Sequence, residues 1–382
     1  MHIVHVVLTG PYTRHMTYQE NLLIAQNVKD GHQVTVIASC ESHQDQTIQH
    51  VPEEDTQLEE GYRLIRLEYR FRGLSVFLSR KVRAVKGLKN LLKTLNPDVI
   101  FHHGLQSYAL RDIVKYKKHA PSTKLYVDSH EDFHNSANTW ASKNLLHKGF
   151  YRPIIRKALN HLDTVFYVTY ESVAFLTTLY SIPETVMEYY PLGGTVLDEE
   201  TYQETRAHMR ENLKYKDDDI VCIHTGKMTQ EKRTIKVLEA FNAVQNKRLK
   251  LLIVGVFDPT IESKVKTIIE RDQRITYVGW KDAQALMHYL IAADLYLQPG
   301  SQSATMQNAL CLRCAAAVYP YESHQFLLGD RVFYIRTKDD VETLLKTLLE
   351  NPNTLENAKN RVYELALEKL DYRKLAKRLY QK

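Results

Sequence analysis

Short apolar runs rich in Val, Ile, Leu and Tyr recur along this chain, each closed by a glycine or a polar cluster and followed by an amphipathic stretch. That alternation narrows the fold more than any other feature, because it implies parallel sheets covered by helices. In the first half it predicts strands at 3–8, 33–38, 62–67, 98–101, 124–127, 164–168 and 186–189, with helices at 18–29, 108–118, 141–159 and 171–180. In the second half the strands fall at 220–225, 250–254, 275–278, 295–298 and 315–319. The helices there fall at 232–246, 261–271, 283–291 and 305–312, with a helical tail from 339. Residues 41–60 are polar and acidic and read as an exposed loop. Pro191-Leu192-Gly193-Gly194 is the linker. The expectation is an α/β chain of two Rossmann-like domains, 1–192 and 193–365, whose parallel sheets face a central cleft. A helix over 366–382 is placed to pack back on the first domain.

A length of 382 residues suits two such domains. Apolar residues make up 44% and charged residues 25%, and no run approaches the ~20 apolar residues of a membrane span. The opening Met1-His2-Ile3-Val4-His5-Val6-Val7-Leu8 has no basic leader or cleavage site and reads as a buried strand, so a cytoplasmic location is expected. Cys311 and Cys314 form one Cys-x-x-Cys without a second pair, which argues against zinc, and Cys40 and Cys222 read as small apolar residues.

The net charge of +6 is uneven. Between Arg70 and Lys93 there are eight basic residues and no acidic one, interleaved with Leu74, Val76, Phe77, Leu78, Val82, Val85 and Leu88. A basic amphipathic segment of this kind suits an anionic membrane surface, placing the chain peripherally on the inner face; equally, its apolar stripe can pack on its own domain. Nucleic acid is disfavoured, since no basic aromatic platform accompanies the charge.

In open α/β folds ligands lie at the carboxyl ends of the strands. There, Val221-Cys222-Ile223-His224-Thr225 stops at Gly226-Lys227, and Lys232 and Arg233 follow at the expected start of a helix. Free backbone N–H groups, a positive dipole end and three cations would suit a diphosphate, although an ordinary loop with solvated lysines has the same appearance. Neither a P-loop spacing nor a Gly-x-Gly-x-x-Gly is present. Gly279-Trp280 and Pro299-Gly300-Ser301-Gln302-Ser303-Ala304-Thr305 occupy matching positions, the latter as a second anion-binding terminus. In the first half the strand ends carry Gly10-Pro11-Tyr12, His102-His103-Gly104 and Asp128-Ser129-His130-Glu131-Asp132. A His/Glu cluster could bind a metal, but three convergent ligands are not evident.

In order along the chain these segments resemble the GT-B glycosyltransferases, specifically family-four-like retaining enzymes that use nucleotide sugars. Gly226 to Arg233 is similar to the family's Gly-Arg…Lys-Gly segment, and Val278-Gly279-Trp280 to the strand ending near the nucleobase. Ala293-Asp294-Leu295-Tyr296-Leu297-Gln298-Pro299, followed by Gln307-Asn308-Ala309-Leu310, resembles the Ala-Asp…Pro-Ser…Glu-Ala-Met-Ala segment. Pro97 to Gly104 and Val127 to Glu131 resemble its two amino-terminal histidine loops.

The resemblance implies an amino-terminal acceptor-side domain and a carboxy-terminal donor domain that close on the substrate. Lys227 and Lys232 would hold the two phosphates, with Gly226, Ser303, Ala304 and Thr305 offering donors nearby. Gln307 would meet the ribose, Trp280 the base and Gly10 the donor's approach. His130 would sit beside the anomeric carbon, with His102, His103 and Glu131 on the acceptor side. Neither metal nor cofactor is implied beyond the nucleotide-sugar co-substrate, for which UDP is the first choice of base. The acceptor would be a glycan or lipid-linked glycan of surface polysaccharide or glycoconjugate synthesis. Two departures stand out. Gln307 replaces the second of the family's paired glutamates, and Lys227 replaces an arginine, giving a point charge where a fork would be. A catalytically inert GT-B-like partner subunit and a nucleotide-sugar 2-epimerase are the alternative readings.

Overall fold

The computed structural model describes residues 1–381 apart from 45, 46, 72 and 74. Its contacts divide into two compact units, Met1–Pro191 with Leu375–Lys382, and Leu192–Lys374.

The first unit holds an eight-stranded sheet in the order Met187–Tyr189, Thr164–Tyr167, Lys124–Ser129, Val99–His103, His2–Val7, Gln33–Ser39, Arg63–Leu67, Glu54–Gln57. Seven of these strands run parallel and Glu54–Gln57 pairs antiparallel at the edge. Helices cover both faces, so the central strands are buried throughout and read as unbroken apolar runs. One face packs Val4, Val6, Ile100, Leu125 and Val127 under Leu110, Ile113 and Phe175, and the other packs Val7, Val36 and Leu64 against Ile24. Order reverses at His2–Val7, with the next strand in sequence on one side and Val99–His103 on the other. That is the topological switch point where a crevice is expected.

One expectation needs correction here, and the basic segment takes a definite form. Residues 41–60 are not a loop: Glu41–Gln44 pairs with Thr47–His50 in a hairpin, and Glu54–Gln57 extends the main sheet. Their polar sequence hides this because side-chain pairs, not burial, hold the edge: Arg63 meets both oxygens of Asp55 at 2.6 and 2.7 Å, and Arg66 meets Glu54 at 2.7 Å. The basic segment 70–93 is two helices, Val76–Val82 and Leu88–Leu95, interrupted by left-handed residues at Arg83 (φ 55°) and Gly87 (φ 71°). Val85, Leu88 and Leu92 enter the core, whereas Val76, Phe77 and Leu78 stay exposed; Arg72 and Leu74 lie outside the described residues.

The second unit carries a six-stranded, all-parallel sheet ordered Ile275–Tyr277, Leu249–Phe257, Ile220–Met228, Leu295–Gln298, Ala315–Val318, Phe333–Tyr334. Its switch point lies between Ile220–Met228 and Leu295–Gln298. Helix Glu199–Asn212 was not legible in the sequence because it is almost wholly polar. The Asp198 carboxylate caps it by accepting from Thr201 N–H, and Arg206 and Arg210 tie it to buried Asp294. Asp294 also accepts from Val221 N–H at 2.9 Å, so the Ala293-Asp294 motif is a brace between helix and sheet. Of the segment 366–382, only Leu375–Lys382 clusters with the first unit.

Candidate functional site

In the second unit, Ile220–Met228 and Leu249–Phe257 stay paired over nine residues, with Gly226 opposite Gly255. The expected turn at Gly226-Lys227 is therefore strand. Two glycines make this register possible: a Cβ on Gly255 would lie 1.9 Å from Gly226 O, and both residues have positive φ (145° and 107°). Lys227 remains in the strand and exposed.

The chain then turns so that Lys232 Nζ donates to Thr225 O at 3.0 Å, directly over Gly226, where an added Cβ would come within 2.8 Å of the ammonium. Gly300 closes the other side, since its Cβ would lie 2.0 Å from Glu231 O, and Ser301 N–H donates to that same carbonyl at 3.2 Å. Lys232 is only 8% exposed, and burial pushes its pKa down to about 8. An ammonium has three N–H donors; among the described residues one is used and no carboxylate lies within ion-pair distance. The remaining two donors have no acceptor among the described residues.

Arg233 does not join this ammonium. It takes a left-handed conformation (φ 58°), donates to Arg336 O at 2.8 Å and lies over the Tyr319 ring at 4.8 Å, and the helix starts only at Thr234. Of the expected trio of cations, Lys227 is thus an exposed strand residue and Arg233 is turned away by its left-handed conformation. Ser303 and Ala304 lead into helix Thr305–Cys311, with the Ser303 hydroxyl accepting from Thr305 N–H at 3.4 Å. Gln307 follows, its Oε1 buried without a hydrogen-bond partner among the described residues. Gln298 is a contributor that the sequence did not single out: its amide nitrogen donates to Ser301 O at 2.6 Å and anchors the 299–304 loop. Trp280 is 64% exposed beyond strand Ile275–Tyr277.

In the first unit, His102 and His103 are strand residues, 0% and 4% exposed, and do not form the expected loop. Pairing of Val99–His103 with its neighbours carries both rings inside, which removes them from direct acceptor contact. His102 Nδ1 lies 3.2 Å from Val6 O. His103 Nδ1 lies 3.2 Å from Asp128 Oδ2, and Gly104 N–H donates to Asp128 Oδ1 at 2.5 Å. His130 Nε2 approaches the same Oδ2 at 3.5 Å and its side chain is 44% exposed. Partial burial of the ring opposes its charged form, but attraction to Asp128 prevails and its pKa is raised. Burial raises the Glu131 pKa against the opposing pull of Arg83, 3.8 Å away. At Gly10 an added Cβ would meet nothing within 4 Å, so the protein's own packing does not require glycine there. Among the described residues no group of three His, Cys, Asp or Glu side chains is placed to hold a metal ion.

Residues 22–193 match the family model described as Glycosyltransferase Family 4. The chain's fold is similar to that of sucrose-phosphate synthase from Thermosynechococcus elongatus (TM-score 0.66, 14% identity, covering 100% of this chain and 97% of that one). It is similar also to Anabaena HepE solved with UDP and glucose (0.61, 13%, 100% and 98%). A third likeness is to WaaG, a glycosyltransferase involved in lipopolysaccharide biosynthesis (0.63, 13%, 99% and 100%). No curated protein sequence matches the chain. The two α/β units thus share the GT-B fold of these glycosyltransferases.

Proposed function

We propose that this protein moves a sugar from a nucleotide-sugar donor, with UDP as the favoured base, to a glycan or lipid-linked acceptor, with retention of anomeric configuration. The observation that carries the donor half is the Lys232 ammonium, buried, without a carboxylate partner among the described residues, and held over Gly226 by three close-packed glycines. Such a group is paired only when an anion arrives, and it would offset the charge that builds on the leaving diphosphate as the anomeric C–O bond breaks. Exposed Lys227 and the 303–305 segment would bind the second phosphate and sugar, Gln307 the ribose and Trp280 the base. Gly10 would admit the donor on the first unit's side. His130 would stand at the anomeric carbon, with Glu131 toward the acceptor. HepE's complex with UDP and glucose supports the choice of base.

For the acceptor we propose a growing surface polysaccharide or glycoconjugate at the inner face of a membrane. No helix among the described residues is long and apolar enough to cross a membrane. Peripheral attachment is supported by exposed Val76, Phe77 and Leu78 beside Arg80 and Lys81. A nearby pocket of about 380 Å³ adds Arg111, Lys115, Lys118 and Lys157 around Tyr108 and Phe150. One observation favours the inert-partner reading: Gln307 stands where the family has glutamate, and its Oε1 is buried and unpartnered among the described residues.

The test is thermal unfolding with UDP, GDP, ADP and CMP, in chelator, on the wild type and on Lys232→Ala. Stabilisation by one nucleotide, lost in the variant, is expected. A panel that stabilises nothing would sink the donor reading in favour of the inert partner.

A further inference from the structure

Five polar side chains stand in single file, His5, His103 and Asp128 on three adjacent strands of the first sheet, Asn27 on helix Gln19–Lys29 and His130 just past a strand end. Asn27 Oδ1 lies 2.9 Å from His5 Nε2, His5 Nδ1 lies 3.0 Å from His103 Nε2, and His103 Nδ1 lies 3.2 Å from Asp128 Oδ2. His130 ends the file on the same carboxylate oxygen. The His5 and His103 rings stack at 16°, with centroids 5.3 Å apart. The first four members are buried and only His130 opens outward. Burying so many polar groups is costly unless they are satisfied, and of the file's buried atoms Asn27 Nδ2 has no partner among the described residues.

The direction of the hydrogen bonds follows from the end of the file. A carbonyl oxygen only accepts, so with Asn27 Oδ1 facing it His5 Nε2 carries hydrogen. Burial, and then the neighbouring His103, push the His5 pKa down to about 3. His5 therefore holds a single hydrogen and its Nδ1 accepts, so His103 Nε2 donates. Asp128 is held well below the usual carboxylate range because His130 and His103 outweigh the effect of its burial, so it accepts from His103 Nδ1. Both ring nitrogens of His103 then carry hydrogen, and His103 competes with His130 for one oxygen.

We propose that Asn27, His5 and His103 are positioning residues that set how firmly Asp128 holds a proton on His130. The inference rests on the reading of His130 as the group at the anomeric carbon. The other charges facing His130 are Glu20, from helix Gln19–Lys29, and Glu131 beside it; both favour its charged form. His103, acting through Asp128, opposes them. The file thus keeps His130 from being locked as a cation.

The experiment is a pH titration of the full chain, labelled with ¹⁵N at histidine, followed by nitrogen–proton correlation spectra without donor. In the wild type His5 should appear as the Nε2–H tautomer and His103 as a donor through both ring nitrogens. In His103→Gln the amide can still donate to Asp128 but brings no charge, so the His130 midpoint should rise by about one pH unit. Asn27→Leu removes the terminal acceptor and should shift it the same way by less. A His103 with one hydrogen in the wild type, as an Asn27 amide turned end for end would require, overturns the inference. So does an unmoved His130 midpoint in a folded His103→Gln. If that variant does not fold, the wild-type spectrum alone decides. UDP binding in the thermal test with an unmoved midpoint sinks the relay alone, whereas a moved midpoint without nucleotide binding sinks the donor reading alone.

Discussion

Lys232 Nζ rests on the carbonyl oxygen of Thr225 at 3.0 Å, seven residues back along the chain and without a carboxylate beside it among the described residues. A strand, a tight return and three glycines serve to hold one ammonium in a nearly closed place. That contact has consequences for binding and stability that can be measured separately.

Lys232→Met should stabilise the protein while abolishing nucleotide binding. The folded pKa of about 8 lies below the ordinary lysine value of about 10.4, so the unfolded chain binds the proton more tightly. Stability should therefore rise as pH climbs from about 8 to about 10, by roughly 3 kcal/mol. The variant should lack that rise and begin near the higher value. Denaturant unfolding at pH 7 and 10 on both proteins checks this, and UDP affinity in the wild type should weaken above pH 8.

Gly226→Ala places a methyl group 2.8 Å from the ammonium at a backbone φ of 107°. We expect a loss of about 1–3 kcal/mol and at least tenfold weaker UDP binding. Calorimetric titration beside a melting curve separates the two. Unchanged affinity would mean that the ammonium is not the anion site.

His130→Ala should leave UDP binding intact and reduce sugar transfer by about 10²-fold or more. The side chain is partly exposed, and the buried Asp128 carboxylate that it faces keeps His103 and Gly104 N–H as partners, so the melting temperature should fall only slightly. Transfer at wild-type rate would remove it from the reacting centre.

Asp294→Ala should cost about 3–5 kcal/mol, because it leaves Arg206 and Arg210 buried without their shared carboxylate. Although burial raises the Asp294 pKa, Arg206, Lys359 and Arg210 together lower it below the ordinary range. Its contribution is present above the unfolded carboxylate value near 4 and is lost as pH falls through the folded value. Acid unfolding curves for wild type and variant should converge at low pH.

Replacing Val76, Phe77 and Leu78 together by serine should weaken flotation with anionic vesicles and leave the fold unchanged, since all three are exposed. Binding of the wild type should fall with added salt. Equal flotation of both proteins would remove this segment from membrane attachment.

Much of the fold was legible because parallel strands buried on both faces read as continuous apolar runs, as in Val221 to Thr225 or Val99 to Phe101. Polar elements were not. Helix Glu199–Asn212 is held by Arg206 and Arg210 reaching a distant aspartate, and the Glu54–Gln57 edge by arginines, so neither carries a periodic signal. At the site, Lys232 could be singled out from its place after a glycine, but its separation from Arg233 could not. That depended on a left-handed residue and on Gly226 pairing with Gly255. Likewise Asp128 and the histidines could be placed at strand ends, whereas their single file could not.

Local patterning thus determined the two α/β units and the strand ends near which the candidate residues lie, since hydrophobic periodicity and glycine punctuation are properties of neighbouring residues. Which of those residues meet was decided only by tertiary structure. Asn27, His5, His103 and Asp128 span 123 positions of the chain and come into contact through strand order and register. Burial then sets the charge that each of them can carry.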